Sequence, residues 1–241
     1  MRKLMMLVLI LAGLAGSQAL AKDIRFATGL LQSQFKDLPR EAGGALAYHN
    51  VAPSVSLGVT GFDLAIEATA LDLRNTSYWN AAFSQSAPSY LVIPRLRARK
   101  GLPWGVDLGA MYSYLPDSNL KLFGFELNKA LLDGGMVSPS LGLRGSYTKL
   151  VGVDELDLQT FAADLNLSKG FVVFTPYVGA GVVQIVSKPK GAIIGGLSEE
   201  KITQPRFFGG LKLSPVPVIG ITAEVEYSAR PLYSLKGAFN F

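Results

Sequence analysis

Ten stretches of the chain alternate between apolar and polar residues with a period of two, the pattern of a β-strand whose faces meet different surroundings. The clearest is 104–114, where Trp104, Val106, Leu108, Ala110, Tyr112 and Tyr114 share one face and Gly105, Asp107, Gly109, Met111 and Ser113 the other. The same split marks 219–228 and 233–241, and fainter versions mark 62–73, 90–99, 120–129, 138–148, 156–168, 171–187 and 203–213, each bounded by Gly, Pro, Asn, Asp or Ser. Two are untidy. Leu156 and Leu158 are out of phase with Phe161, Ala163, Leu165 and Leu167, and 171–187 is apolar on both faces, so a bulge or slipped register is expected there.

The apolar faces are edged by Trp104, Tyr112, Tyr114, Tyr147, Tyr227, Tyr233 and Phe241 with aliphatics between, which fits the interfacial girdles of a lipid-facing barrel. A soluble sandwich with surface tyrosines is the alternative. The connections at 75–89, 116–118, 151–155 and 188–202 mostly exceed those at 100–103, 169–170 and 215–217, as short periplasmic turns and longer outer loops require, although 130–137 is longer than this scheme prefers. The expected fold is therefore all-β: a transmembrane antiparallel β-barrel of about ten strands over 61–241, with eight to twelve compatible. An even count places both ends of the barrel on the periplasmic side.

Ahead of the strands the pattern changes. Met1, Arg2 and Lys3 precede an apolar run from Leu4 to Gly16 and the small-residue end Ala19, Leu20, Ala21, a secretory signal over 1–21 too short to span a bilayer as a helix. In 22–60, Ile24, Ala27, Leu31, Phe35 and Leu38 fall at helical spacing, predicting a short helix that Pro39 ends. Two placements fit: a periplasmic helix against the barrel rim, or a plug entering the lumen. The stretch 43–48 also alternates and is a candidate extra strand.

The polar faces carry an ordered set of charges. In strand order they are Asp63 and Glu67; Arg95, Arg97 and Arg99; Asp107; Glu126; Arg144; Asp164; Arg206 and Lys212; Glu224 and Glu226; and Lys236, closing against Asp63. Neighbouring strands mostly present opposite signs, which predicts a lumen held by a ladder of ion pairs. The arginine row Arg95, Arg97, Arg99 exceeds the charge of its neighbours and is a candidate seat for an anionic ligand or for the N-terminal segment.

Composition removes several classes of function. Without cysteine there is neither a lipoprotein anchor nor a disulfide framework. The formal charge of +5 falls to +3 when Arg2 and Lys3 leave with the signal, and the basic residues are scattered, so no nucleic acid partner is expected. The single histidine, His49, lies in the N-terminal segment before Asn50 and Pro53 with no Ser/Asp constellation around it, and is read as a turn or surface imidazole. No metal-ligand spacing or phosphate-binding glycine loop is found, so the expectation is a non-enzyme without metal or cofactor.

The final residues alternate as Tyr233, Leu235, Gly237, Phe239 and Phe241. They resemble the C-terminal signal read by the barrel assembly machinery, which implies that machinery and outer-membrane lipid as partners in a Gram-negative outer membrane. An amphipathic N-terminal segment before a small barrel also resembles the OmpW and FadL-like set, and more loosely other small outer-membrane barrels. The leading expectation is a small transport or ligand-binding barrel for an apolar or amphipathic molecule, with a hydrophobic or anionic small ligand. The competing one is a structural or adhesive barrel with a closed lumen whose outer loops, including Tyr78, Trp79 and Phe83, make the contacts.

Overall fold

Each alternating stretch forms one strand, and the strands meet their sequence neighbours in order until the last pairs with the first. They are β1 (Phe62–Asp72), β2 (Tyr90–Leu102), β3 (Val106–Tyr114), β4 (Lys121–Leu132), β5 (Ser140–Val151), β6 (Leu156–Ser168), β7 (Phe174–Pro189), β8 (Glu200–Val216), β9 (Ile219–Tyr227) and β10 (Pro231–Asn240). The computed structural model describes residues 32–73, 90–115, 120–135, 138–154, 156–190 and 196–241. Its strands form a closed antiparallel barrel of ten. The expected signal at 1–21 and the aromatic loop with Tyr78, Trp79 and Phe83 lie outside the described residues.

The closing seam runs from Asp63 opposite Asn240 to Leu71 opposite Leu232. At its end Phe62 and Phe241 exchange backbone hydrogen bonds of 2.6 and 3.0 Å, and their rings stack at 5.5 Å. This end, where β1 begins and β10 finishes, is the terminal rim; the opposite end is the far rim.

The hairpins differ in height. β1 pairs with β2 up to Asp72 opposite Tyr90, whereas β2 and β3 pair only from Leu96 opposite Tyr112 to Leu102 opposite Val106. Pairing of β8 with β9 likewise begins at Phe207 opposite Tyr227, so the first residues of β8 rise beside β7 above their other neighbour. Pro94 and Pro205 stand in these overhangs, where a missing N–H takes nothing from a ladder.

Several sequence expectations need correction. Trp104 does not begin a strand: Pro103–Gly105 is a 3-10 turn, with Trp104 at φ 62° and Gly105 at φ 67°, and β3 starts at Val106. Proline fixes the entry and glycine accepts the left-handed exit. No bulge interrupts β6, which pairs without a break with both neighbours. The register shifts lie between Ala130 and Leu132 and between Leu213 and Val216, both near the terminal rim.

Leu156 and Leu158 looked out of phase because the inward face changes character along the barrel. Near the terminal rim and in the middle it carries the charges. Toward the far rim it carries Leu71, Leu91, Ile93, Leu122, Leu150, Leu158, Ile185 and Leu232, all buried. The outward face is apolar across its middle, with Leu64, Ile66, Leu96, Leu108, Phe125, Leu127, Leu165, Val178, Phe207 and Val225 exposed. An apolar belt that encircles the molecule suits a bilayer, and closure leaves no strand edge within it.

What fills the inside is the N-terminal segment. Helix α1 (Gln32–Leu46) places Phe35, Leu38, Ala45 and Leu46 in one buried cluster with the inward leucines and isoleucines of the far half. Pro39 lies inside α1 and does not end it. Proline in a helix interior costs about 3 kcal/mol, and packing on both sides of it offsets that loss. The helix begins at the far rim, where the Gln32 side-chain amide donates to Glu200 Oε1 at 2.6 Å and accepts from Ser198 N at 2.9 Å. From Ala47 the chain runs non-helically down the lumen to Gly61, whose carbonyl accepts from Gly101 N at the terminal rim. The stretch 43–48 is thus the end of a helix followed by irregular chain, with no extra strand.

Candidate functional site

The inward positions of the strands and the backbone of 45–57 form one continuous polar network. Glu67 on β1 accepts from Arg95 at 3.1 Å and Arg97 at 2.5 Å, both on β2. Glu126 on β4 meets Arg97 at 3.3 Å, Arg99 at 3.1 Å and Arg144 at 3.3 Å. Arg99 also meets Asp107 at 3.1 Å. Asp164 on β6 takes Arg144 at 2.7 Å from β5 and Arg206 from β8. Lys236 lies 3.5 Å from Asp63 across the closing seam.

Three of these contacts skip a strand, and they cross it at one of two glycines. Glu126 reaches the β2 arginines across β3 at Gly109, where a Cβ would lie 2.6 Å from Glu126 Cγ and 3.0 Å from Arg99 Cγ. Arg206 reaches Asp164 across β7 at Gly181, where a Cβ would collide with Asp164 Oδ1. Pairing therefore extends beyond adjacent strands. Two ladder residues depart from simple pairing: Glu224 accepts from the Tyr177 hydroxyl at 2.9 Å and from Val51 N at 2.9 Å, and Lys212 donates to Asn240 Oδ1 at 3.2 Å.

Four arginines turn their remaining N–H groups toward the N-terminal segment. Arg95 donates to Ala45 O at 2.5 Å, Arg97 to Asn50 O at 3.2 Å, Arg144 to His49 O at 2.7 Å and Tyr48 O at 3.2 Å, and Arg206 to Tyr48 O at 3.1 Å. The predicted row is thus divided: Arg95 and Arg97 hold the segment, whereas Arg99 serves the wall, and Arg144 and Arg206 complete the grip from the opposite side. The Tyr48 ring sits below both Arg97 and Arg144 guanidinium groups, 4.6 and 5.7 Å from its centroid.

Lower down, Asn166 donates to Ala52 O at 2.8 Å, Ser54 Oγ donates to Ser140 O at 2.9 Å and meets Ser168 Oγ at 2.8 Å, and Asp107 accepts from Ser56 Oγ and Leu57 N. The wall is shaped to receive these residues. Gly124 faces Tyr48, where a Cβ would come within 2.9 Å of the ring, and Gly142 faces Ser54 at 3.1 Å. Val51, buried, holds φ 39°, a left-handed backbone that costs a β-branched residue on the order of 1–3 kcal/mol.

His49 is not a surface imidazole. It is fully buried, with Nδ1 3.0 Å from Glu226 Oε2 and Nε2 3.1 Å from Ala45 O. Both ring nitrogens are within hydrogen-bond distance of an oxygen, one from the wall and one from the segment itself. The sequence shows one histidine in an irregular stretch; only the inward position of Glu226 on β9 hinted at a partner. The C-terminal residues Tyr233, Leu235, Gly237, Phe239 and Phe241 lie on the outward side of β10 and its end, in line with the lipid-facing belt.

Closed pairing of ten strands, an apolar exterior and a charged interior define an outer-membrane-type β-barrel, here with its lumen occupied by its own N-terminal segment. No family model matches the chain, and no curated protein matches it. Solved structures that it resembles include the N-terminal β-barrel domain of Pseudomonas aeruginosa OprF, at 14% identity and a TM-score of 0.38 over 74% of this chain and 97% of that one. The KdgM porin follows at 10% identity and 0.37 over 76% and 99%, and Acinetobacter baumannii Omp33 at 7% and 0.35 over 76% and 100%. At these values the barrel assignment rests on the chain's own strand ladder, and these structures do not confirm the expected resemblance to the OmpW and FadL-like set.

Proposed function

We propose that this protein is an outer-membrane barrel that binds and passes a small apolar or amphipathic molecule, with residues 32–57 as its gate. The observation that carries the reading is the two-layered lumen. An apolar cup at the far rim, filled by α1, stands above a belt of charges, filled by the irregular chain below it. The cup gives an apolar molecule a surface to pack on once α1 leaves it. In an outer membrane the far rim, with its longer connections, faces the cell exterior, so the cup is the first surface that an arriving molecule meets. The terminal β10 face serves recognition by the assembly machinery. The reading is non-catalytic: both nitrogens of the single histidine are engaged in holding the gate.

The second reading is a permanently closed structural or adhesive barrel, favoured by the pairing of Glu67, Glu126 and Asp164 with two or more arginines each. The double variant Ser54→Cys/Ser168→Cys separates the two, because the chain has no other cysteine and the paired hydroxyls are 2.8 Å apart. In planar bilayers the gate reading expects openings in the reduced protein and none in the oxidised one. Silence in both states, with the barrel intact, supports the closed reading and overturns the gate.

A further inference from the structure

The outward face of the barrel is not uniform around its circumference. Where β2 and β3 pair, Ala98 stands directly opposite Ala110, with Leu64 on one side of them and Phe125 on the other. Small side chains between large ones leave a concavity of about 800 Å³, lined almost wholly by apolar atoms. Toward the far rim it ends at Tyr112 and Phe123, whose rings lie 5.1 Å apart. Lys149 on β5 is opposite Phe123, and Lys121 stands two residues from Phe123 along β4, on the same outward face.

These two lysines differ from the rest. Among the described residues, the other lysines at outward strand positions are matched: Lys188 and Lys201 meet Glu199 at 3.4 Å each, Lys100 donates to Val59 O, and Lys129 donates to Trp104 O. Lys121 and Lys149 form neither an ion pair nor a hydrogen bond among those residues. Asp157, diagonal to Lys149 on β6, already takes Lys190 at 3.0 Å and Gln159 Nε2 at 3.3 Å. On the other side of the far rim, β9, β10 and β1 present Tyr227, Tyr233 and Asp72 at their outward positions. Like charges at diagonal positions of adjacent strands repel, and an anion between them removes that cost.

We propose that this arc binds one phosphorylated lipid of the outer leaflet: its phosphate lies between the ammonium groups of Lys121 and Lys149, and one acyl chain lies in the groove over Ala98 and Ala110. The placement in the outer leaflet rests on the orientation given above, with the far rim outward, and is independent of the gate. Within a bilayer the groove adds packing and no hydrophobic gain, because lipid is as apolar as the wall, so preference among lipids comes from the head group. Lysine meets phosphate as a point charge, and two of them suit a doubly charged monoester better than a singly charged diester.

The test uses the folded mature chain in detergent and reads, by native mass spectrometry, the lipid concentration at which half the protein carries one lipid. Dioleoyl phosphatidic acid is compared with dioleoyl phosphatidylglycerol and dioleoyl phosphatidylcholine. Phosphatidic acid is expected to need about tenfold less than phosphatidylcholine, from two surface lysines, with phosphatidylglycerol between them. Lys121→Ala/Lys149→Ala should abolish that preference, and Lys121→Gln/Lys149→Gln serves if the alanine pair does not fold. Lys188→Ala/Lys201→Ala, on the neighbouring arc, should leave it intact. Ala110→Trp fills the groove and should weaken retention of all three lipids. Equal retention of phosphatidic acid and phosphatidylcholine, or equal loss of preference in the two lysine pairs, overturns the head-group site. Retention unchanged by Ala110→Trp overturns the chain's place in the groove. Labelling of Lys121→Cys by an impermeant maleimide on intact cells checks the orientation separately, since the chain has no other cysteine; its absence overturns the outer-leaflet placement and leaves the lipid preference to stand on its own measurement.

Discussion

At the scale of single residues, the lumen shows why small and charged positions are coupled. Gly109 and Gly181 occupy inward positions where a side chain would push a carboxylate away from arginines that lie across a skipped strand. Breaking a buried ion pair costs about 3–5 kcal/mol, because it strands a charge that has no water to turn to. Gly181→Val is accordingly expected to lower stability in urea unfolding from vesicles by about 3 kcal/mol or more. Gly145→Val, on a position with open space around it, is expected to change it little. Glu126→Gln removes the negative charge shared by Arg97, Arg99 and Arg144 and turns one of its two acceptor oxygens into a donor, and it should be at least as severe in the same assay. The charges themselves were legible in the sequence, because period-two alternation places every one of them inward. Their partners across a skipped strand were not, since glycine in a strand reads as curvature until its neighbours are known.

At the scale of elements, strand identity and order follow from pattern, whereas the N-terminal segment does not. Alternation requires only that each strand have two unlike sides, which a barrel supplies, so the ten stretches were recognisable before any pairing. The irregularity read at Leu156 and Leu158 came from assuming a uniformly polar lumen; those leucines face inward because α1 is there to cover them. Pro39 misled for a related reason. Local propensity ends a helix at proline, and only the packing of Phe35 and Leu38 before it and Ala45 and Leu46 after it carries the helix onward. Phe35→Asp is expected to raise protease sensitivity within 32–57 while the barrel keeps its resistance. Cleavage of both alike, or of neither, would show that α1 is not seated independently of the wall. His49→Phe removes both contacts to Glu226 and Ala45 O and should loosen the same segment, seen as faster labelling of Ser54→Cys.

For the whole molecule, closure of the barrel and occupation of the lumen belong to one arrangement. The seam between β1 and β10 is continuous over nine residue pairs, and Lys236 meets Asp63 just inside it. The segment touches inward side chains of strands on every side of the barrel, from Arg95 and Arg97 on β2 through Arg144 on β5 and Ser168 on β6 to Glu224 and Glu226 on β9. It thus ties the strands to one another from inside the lumen. Unheated protein from outer-membrane fractions is expected to migrate faster in detergent gels than boiled protein, as a closed barrel does.

The threading of residues 32–57 through the lumen is tested most directly by the Ser54→Cys/Ser168→Cys protein, oxidised in intact outer membranes and analysed by peptide mass spectrometry. A near-complete disulfide between positions 54 and 168, in the fraction that shows the gel shift, is the predicted result. Both thiols free and labelled by maleimide in that same fraction would place the segment outside the barrel and contradict the account.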